Sequence, residues 1–134
     1  MRTGFFWDER CFWHAGGNYA FPLPLGGLVQ PLAAGGLPEN PETKRRLKNL
    51  IDVTGLSADL DMRHAAPATL DDIHRVHPAD FVAEFRQLSA SGGGELGMRT
   101  PFTQDGFDMA ALSAGLAKDA LYAVMKGEVN NAYS

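Results

Sequence analysis

The chain has 134 residues, 45% of them hydrophobic, and a formal net charge of −4 at pH 7, which fits one globular domain. The acidic balance argues against a nucleic-acid surface, which needs a basic stripe. No apolar run reaches the ~18 residues of a membrane span, and Met1-Arg2-Thr3-Gly4 lacks the apolar core of a signal peptide.

Thr3-Gly4-Phe5-Phe6-Trp7 is short, aromatic and bounded by Asp8-Glu9-Arg10, which predicts a buried amino-terminal strand. Cys11 is the only cysteine. It has no intramolecular disulfide partner, so a reducing cytoplasm is expected, with the thiol packed as a small hydrophobe. From about residue 13 to 39 the chain is rich in Gly and Pro, which forbids a long regular element, yet it holds Tyr19, Phe21, Leu23, Leu25, Leu28, Val29 and Leu32. A loop this long and this apolar predicts a functional or partner-packed segment.

Asn40 is a good N-cap, Pro41 suits the first helical position and Glu42 favours the positive end of the helix dipole. The helix they start has Leu47, Leu50 and Ile51 as its expected buried stripe, Lys44, Arg45 and Lys48 mostly solvated, and Gly55 as its stop. Leu60, Met62 and His64 alternate with Asp61 and Arg63, the pattern of a half-exposed strand near a sheet edge. Thr69-Leu70-Asp71-Asp72 resembles a capping box with Asp in place of Glu, opening a short helix through Val76. Pro78 begins another, with Phe81, Val82, Phe85 and Leu88 on one face. Ser89 to Gly97, containing Gly92-Gly93-Gly94, reads as a flexible loop.

Asp105-Gly106 opens the last helix, Phe107 to about Met125, which Gly127 ends. Phe107, Ala110, Ala111, Ala114, Ala117, Leu121, Val124 and Met125 recur at helical spacing and predict its apolar face. Lys118 falls within that arc and has to snorkel outward. Asn130 to Ser134 then reads as the start of a strand without a destination, so an interrupted chain is expected. Strands near both ends with helices between them predict an α/β layer structure.

The chemistry-bearing residues do not make a complete site. His74 and His77 are three apart, but Pro78 follows and no Cys accompanies them, whereas a catalytic zinc needs three protein ligands and an open position. Gly92-Gly93-Gly94-Glu95 lacks the following Lys-Ser/Thr of a phosphate loop. There is no Gly-x-Ser-x-Gly elbow, and Asp71-Asp72 and Asp105/Asp108 are explained by helix starts.

Four stretches together resemble the amino-terminal third of the histone deacetylase and acetylpolyamine amidohydrolase superfamily, particularly its bacterial class II-like members. They are Thr3 to Arg10 with His14 following; Asn40-Pro41-Glu42-Thr43-Lys44-Arg45-Arg46, similar to the family's His-Pro-Glu-x-Pro-x-Arg with Lys44 replacing the second Pro; Thr69 to Val82; and Ala111-Leu112-Ser113-Ala114-Gly115 through Gly127-Glu128 to Tyr133. The resemblance implies the amino-terminal part of an open, mostly parallel sheet flanked by helices, of the arginase/deacetylase type and incomplete. It implies a zinc-dependent enzyme hydrolysing acetyl-lysine or acetylpolyamine amides, in which zinc polarises the carbonyl and activates water while a His pair handles protons. In the family a Pro-Gly-His-His segment follows soon after the position of Ser134, and the Asp/His/Asp zinc ligands come later. This chain has no catalytic or metal residue of that set.

The carry-over is therefore to the substrate channel. The loop at 13–39 resembles a channel-wall loop, Pro41 matches a channel-lining Pro, and Asn40 replaces the usual His. Arg46 matches the Arg near the cavity through which acetate leaves. Glu95 is the nearest acid to the family's rim position, which Met98 occupies. The expectation is an inactive segment, even with added zinc, whose partners are the carboxyl-terminal part of the domain and a further copy, with acetylated small molecules or peptides as substrate of the whole enzyme. The competing expectation is a non-catalytic interaction module that uses residues 12–37 to bind a partner or second copy.

Overall fold

The computed structural model describes residues 2–13, 41–97 and 100–134, with the backbone of a short strand pair, β2 (Tyr19–Ala20) and β3 (Leu23–Pro24). The predicted loop at 13–39 and Asn40 lie almost wholly outside the described residues. Strand β1 (Thr3–Phe6) is the middle of a three-stranded sheet, with β4 (Leu60–Arg63) on one side and β7 (Asn131–Tyr133) on the other. Both pairs are parallel: Thr3 faces Leu60 and Asn131, and Phe5 faces Met62 and Tyr133. A central parallel strand is covered on both faces, which is why β1 reads as an aromatic run without alternation. Phe5 and Phe6 are 4% and 3% exposed. The strand predicted at Leu60 lies at an edge of this sheet among the described residues, but its alternation is not followed: Met62 is exposed and Asp61 half-buried.

Helix α1 (Pro41–Val53) starts at Pro41 and gives way to Gly55 in the left-handed region at φ 77°. Its inward face differs from the predicted one. Ile51 is buried, but Leu47 and Leu50 are 38% and 59% exposed, and Arg45 and Lys48 turn toward the body instead. Arg45 binds Glu9 at 2.8 Å and also pairs with Glu42, and its guanidinium lies 6.0 Å from the Phe12 ring. Lys48 Nζ lies 5.8 Å from the Trp7 ring and binds Asp52 at 2.6 Å. Long basic side chains bury their methylene stems on aromatic surface while keeping the charge solvated or paired, so this face is apolar by its stems.

Helix α2 (Leu70–His74) is opened by the expected capping box. Thr69 Oγ1 accepts from the Asp72 amide at 3.2 Å, and the Thr69 amide donates to Asp72 Oδ2 at 3.0 Å. The helix ends at His74, two residues before the predicted Val76. Helix α3 (Ala79–Ala90) buries Val82 and Ser89, while Phe81 lies outward at 38% exposure, stacked on His77. The predicted loop from Ser89 to Gly97 contains a strand: β5 (Gly93–Glu95) pairs antiparallel with β6 (Pro101–Thr103). Gly93 has φ 110°, and a Cβ there would stand 2.3 Å from the Phe102 carbonyl oxygen. Glycine serves close backbone approach here.

Helix α4 (Gly106–Met125) is the longest element. Its first turn is capped from α3, since the buried Ser89 Oγ accepts from the Phe107 amide at 3.1 Å. It ends in a Schellman motif, with Gly127 N–H donating to Val124 O at 3.0 Å and Glu128 N–H to Ala123 O at 2.9 Å. The buried stripe is Ala111, Leu112, Gly115, Leu116, Ala120 and Ala123. Of the predicted face only Ala111 is buried; Leu121 and Met125 are 58% and 72% exposed. The helix is apolar nearly all round, and close approach decides which stripe goes inside. The segment leaving β4 runs across Ala111 and Gly115, with Ala68 N–H donating to Ala111 O at 2.8 Å. Below it Phe6, Leu116, Ala120, Ala123 and Val129 form one core. No helix among the described residues is long and apolar enough to cross a membrane.

Lys118 leaves the apolar arc as expected and binds Asp72 at 2.6 Å, tying α4 to the cap of α2. The Lys118 hydrogen bond, with those from Thr69, holds the Asp72 carboxyl well below its ordinary value of 3.8. A carboxyl depressed by folding contributes stability above its unfolded pKa and loses that contribution as pH falls through the folded value. Melting temperature is therefore expected to decline as pH drops below about 4. Asp72→Asn should flatten that acid limb; an unchanged acid slope in the variant would show that this pair does not couple folding to protons.

Candidate functional site

In parallel α/β sheets, ligands bind in the crevice at the carboxyl ends of the strands. Here β1 runs out through Trp7 into Asp8, and β7 through Tyr133 into Ser134. A cavity of about 340 Å³ opens between these ends, the start of α1 and the middle of α4. Its walls are Phe5, Phe6, Trp7, Phe12, Leu47, Leu116 and Tyr133, with Asp8, Cys11, Lys44, Ser113 and Ser134 as its polar groups. The rings form a continuous stack: Tyr133 on Phe5 at 5.6 Å, Phe5 on Trp7 at 6.3 Å and Trp7 on Phe12 at 4.5 Å. Mostly apolar walls with a few placed polar groups are the usual make-up of a small-molecule pocket.

The 3-10 turn at Glu9–Phe12 holds Phe12 and Cys11 against this cavity. Asp8 is its N-cap, accepting from the Arg10 amide at 3.0 Å and from the Arg10 guanidinium at 2.7 and 3.0 Å. Those bonds hold the Asp8 carboxyl below its ordinary value despite burial, so Asp8 stays ionised and committed to the turn. Burial, with the Asp8 charge nearby, pushes the Cys11 thiol up, away from the thiolate a nucleophile needs. Neither group is set up for acid, base or nucleophilic work.

The sequence-predicted site residues separate. Pro41 lines the cavity. Arg46 is exposed on α1 and does not line it; among the described residues the cation that does is Lys44, two residues earlier, where the resemblance places a Pro. Glu95 is exposed in β5, away from the cavity lining, and Asn40 lies outside the described residues. Sequence reasoning did not single out Trp7, Phe12, Tyr133 and Lys44, which line the cavity. The available signal was positional for two of them: Trp7 follows the carboxyl end of β1 and Tyr133 ends β7, whereas Phe12 is brought in by the 3-10 turn. Among the described residues no three His, Cys, Asp or Glu side chains gather closely enough to hold a metal. The donors among the described residues do not fit a zinc site.

No family model matches the chain. A histone deacetylase-like amidohydrolase of Pseudomonas aeruginosa is 56% identical over 133 residues, which is 99% of this chain and 35% of that protein. The crystal structure of the HDA15 HD domain superposes with a TM-score of 0.77 over 98% of this chain and 34% of that one, at 21% identity. At that identity the second match shows the fold alone, the same α/β arrangement described above. The chain thus spans about a third of the length of each of these two proteins. On the strength of the sequence match and the shared fold, the chain belongs to the histone deacetylase and acetylpolyamine amidohydrolase superfamily, as a segment of its domain.

Proposed function

We propose that this chain supplies the amino-terminal framework of a zinc-dependent amidohydrolase that cleaves acetyl-lysine or acetylpolyamine amides, and that it has no hydrolytic chemistry alone. The observation that carries the reading is the aromatic-walled cavity at the carboxyl ends of β1 and β7, in a chain 56% identical to a deacetylase-like amidohydrolase. Its part in the enzyme is to shape one wall of the substrate site. Trp7, Phe12 and Tyr133 exclude water, Pro41 fixes the start of α1 against the cavity, and Lys44 offers a positive charge to an anionic group inside it. Arg46 and Glu95, both outside that lining, have at most an outer role in guiding charged substrate or product, and Asn40 joins Pro41 in the channel wall. Zinc belongs to the longer domain. The lone cysteine supports a cytoplasmic setting.

The test is a chimera in which this chain replaces the matched third of the Pseudomonas aeruginosa relative. Zinc-dependent release of acetate from an acetyl-lysine peptide or an acetylpolyamine is the expected result, with none from residues 1–134 alone at any zinc concentration. A well-folded chimera that hydrolyses neither substrate defeats the functional reading. Turnover by the separate chain defeats the claim that it lacks chemistry.

A further inference from the structure

An acetyl group brings one methyl and one carbonyl into a cavity of about 340 Å³. It fills a small part of that space, and its methyl offers nothing to a cation. Yet a cation is built into the wall. Pro41, Lys44 and Leu47 are spaced three apart on α1, and all three line the cavity. Residues at that spacing share a helix face, so the turn that presents Pro41 to the cavity also presents Lys44. The proline that the resemblance places at 44 has neither a charge nor a donor to offer.

The other polar groups around the cavity leave Lys44 as its positive pole. Arg45 and Lys48, its neighbours on α1, are paired with Glu9, Glu42 and Asp52 and do not line the cavity. Asp8 does line it, but three hydrogen bonds from Arg10 occupy its carboxylate and match its charge. Cys11 keeps its proton, and Ser113 and Ser134 are neutral hydroxyls. Among the described residues, Lys44 is the one cationic side chain in a wall that is otherwise mostly aromatic and aliphatic.

We propose that Lys44 is a specificity-determining residue that receives the terminal carboxylate of a short dicarboxylic acyl chain, so that succinyl and glutaryl amides are hydrolysed in preference to uncharged acyl chains of the same length. This deepens the functional reading above and rests on it. The rings of Phe5, Trp7 and Phe12 pack along the methylenes, and the ammonium binds the far carboxylate by charge-assisted hydrogen bonds. Hydrolysis breaks the amide C–N bond: the hydroxyl of water goes to the acyl carbon and its proton to the amine. The products are a free dicarboxylate and the amine, and no further reactant is consumed.

Two measurements test this. The chain itself, titrated with glutarate in a calorimeter, should bind it, and Lys44→Met, which keeps the apolar stem, should weaken binding on the order of 10-fold or more. The chimera is assayed on lysine peptides carrying succinyl or butyryl groups, which match in length, and should favour succinyl. Lys44→Met should lower the succinyl-to-butyryl ratio of kcat/KM on the order of 10- to 100-fold, while Lys44→Arg keeps it. The ratio cancels any general loss of folded enzyme. A parent chain that does not bind glutarate, or a ratio that Lys44→Met leaves unchanged, overturns the assignment. Cleavage of acetyl- and butyryl-lysine without cleavage of succinyl-lysine removes the carboxylate subsite and leaves the function standing. Lys44-dependent glutarate binding by the chain, with a folded chimera that cleaves no amide, does the reverse.

Discussion

Gly115→Ala is expected to destabilise the chain by about 3 kcal/mol, the upper end of overpacking costs. Local propensity points the other way, because alanine is about 1 kcal/mol better than glycine inside a helix. Geometry decides the sign. A Cβ at Gly115 would lie 2.0 Å from the Ala66 carbonyl oxygen and 2.9 Å from the Ala68 nitrogen. Both are backbone atoms, so no side-chain rotation relieves the overlap. The segment must lift away from α4, which breaks the Ala68-to-Ala111 hydrogen bond and loosens the route from β4 to the cap of α2. Against a total stability of about 5–15 kcal/mol for a domain, that loss is large. Urea titration of the purified variant measures it, and a variant as stable as the parent would show that the segment does not press on the helix.

Phe6→Ala should cost about 4 kcal/mol, in the range for emptying a buried aromatic site. Phe6 is 3% exposed and packs with Leu116, Ala120, Ala123 and Val129, while the Arg63 guanidinium covers its ring at 5.9 Å. The removed ring touches the sheet, α4 and the turn after it, so no single element can collapse into the space. Phe6→Leu should lose less, about 1.5 kcal/mol, because volume and hydrophobicity are mostly kept. Leu121→Ala is the informative contrast. It lies on the outward side of the same helix at 58% exposure and should change stability by less than about 0.5 kcal/mol. Equal losses at Phe6 and Leu121, read by thermal and chemical unfolding, would mean that the buried stripe of α4 has been misassigned.

Features set by neighbouring residues were legible in the sequence. Pro41 at a helix start, the Thr69/Asp72 capping box, Gly127 after the last helical turn and the aromatic strand at Phe5-Phe6 depend on local geometry alone. The helix faces were not legible. In α4, alanines and leucines surround the axis, and the selection of Leu112 and Leu116 over Leu121 and Met125 depends on where the chain after β4 crosses Gly115. In α1, Lys44, Arg45 and Lys48 look solvated by type, yet Trp7 and Phe12 provide aromatic surface for the stems of Arg45 and Lys48, and that surface comes from a distant part of the chain. The same blindness hid Lys44 as a residue that lines the cavity. The glycines at 92–94 gave flexibility as the obvious reading, whereas Gly93 and Gly94 belong to a strand held against Phe102.

The central place of β1 carries a consequence for synthesis. Phe5 and Phe6 leave the ribosome before both of their neighbours: β4 follows with Leu60–Arg63, and β7 only with Asn131–Tyr133. At about 5–20 residues per second, the strand with the richest aromatic surface waits on the order of ten seconds for its second partner. Throughout that interval it is an adhesive segment on a nascent chain, a natural client for chaperones that shield apolar stretches. The position that makes β1 the best-buried strand of the finished fold also makes it the most vulnerable during birth.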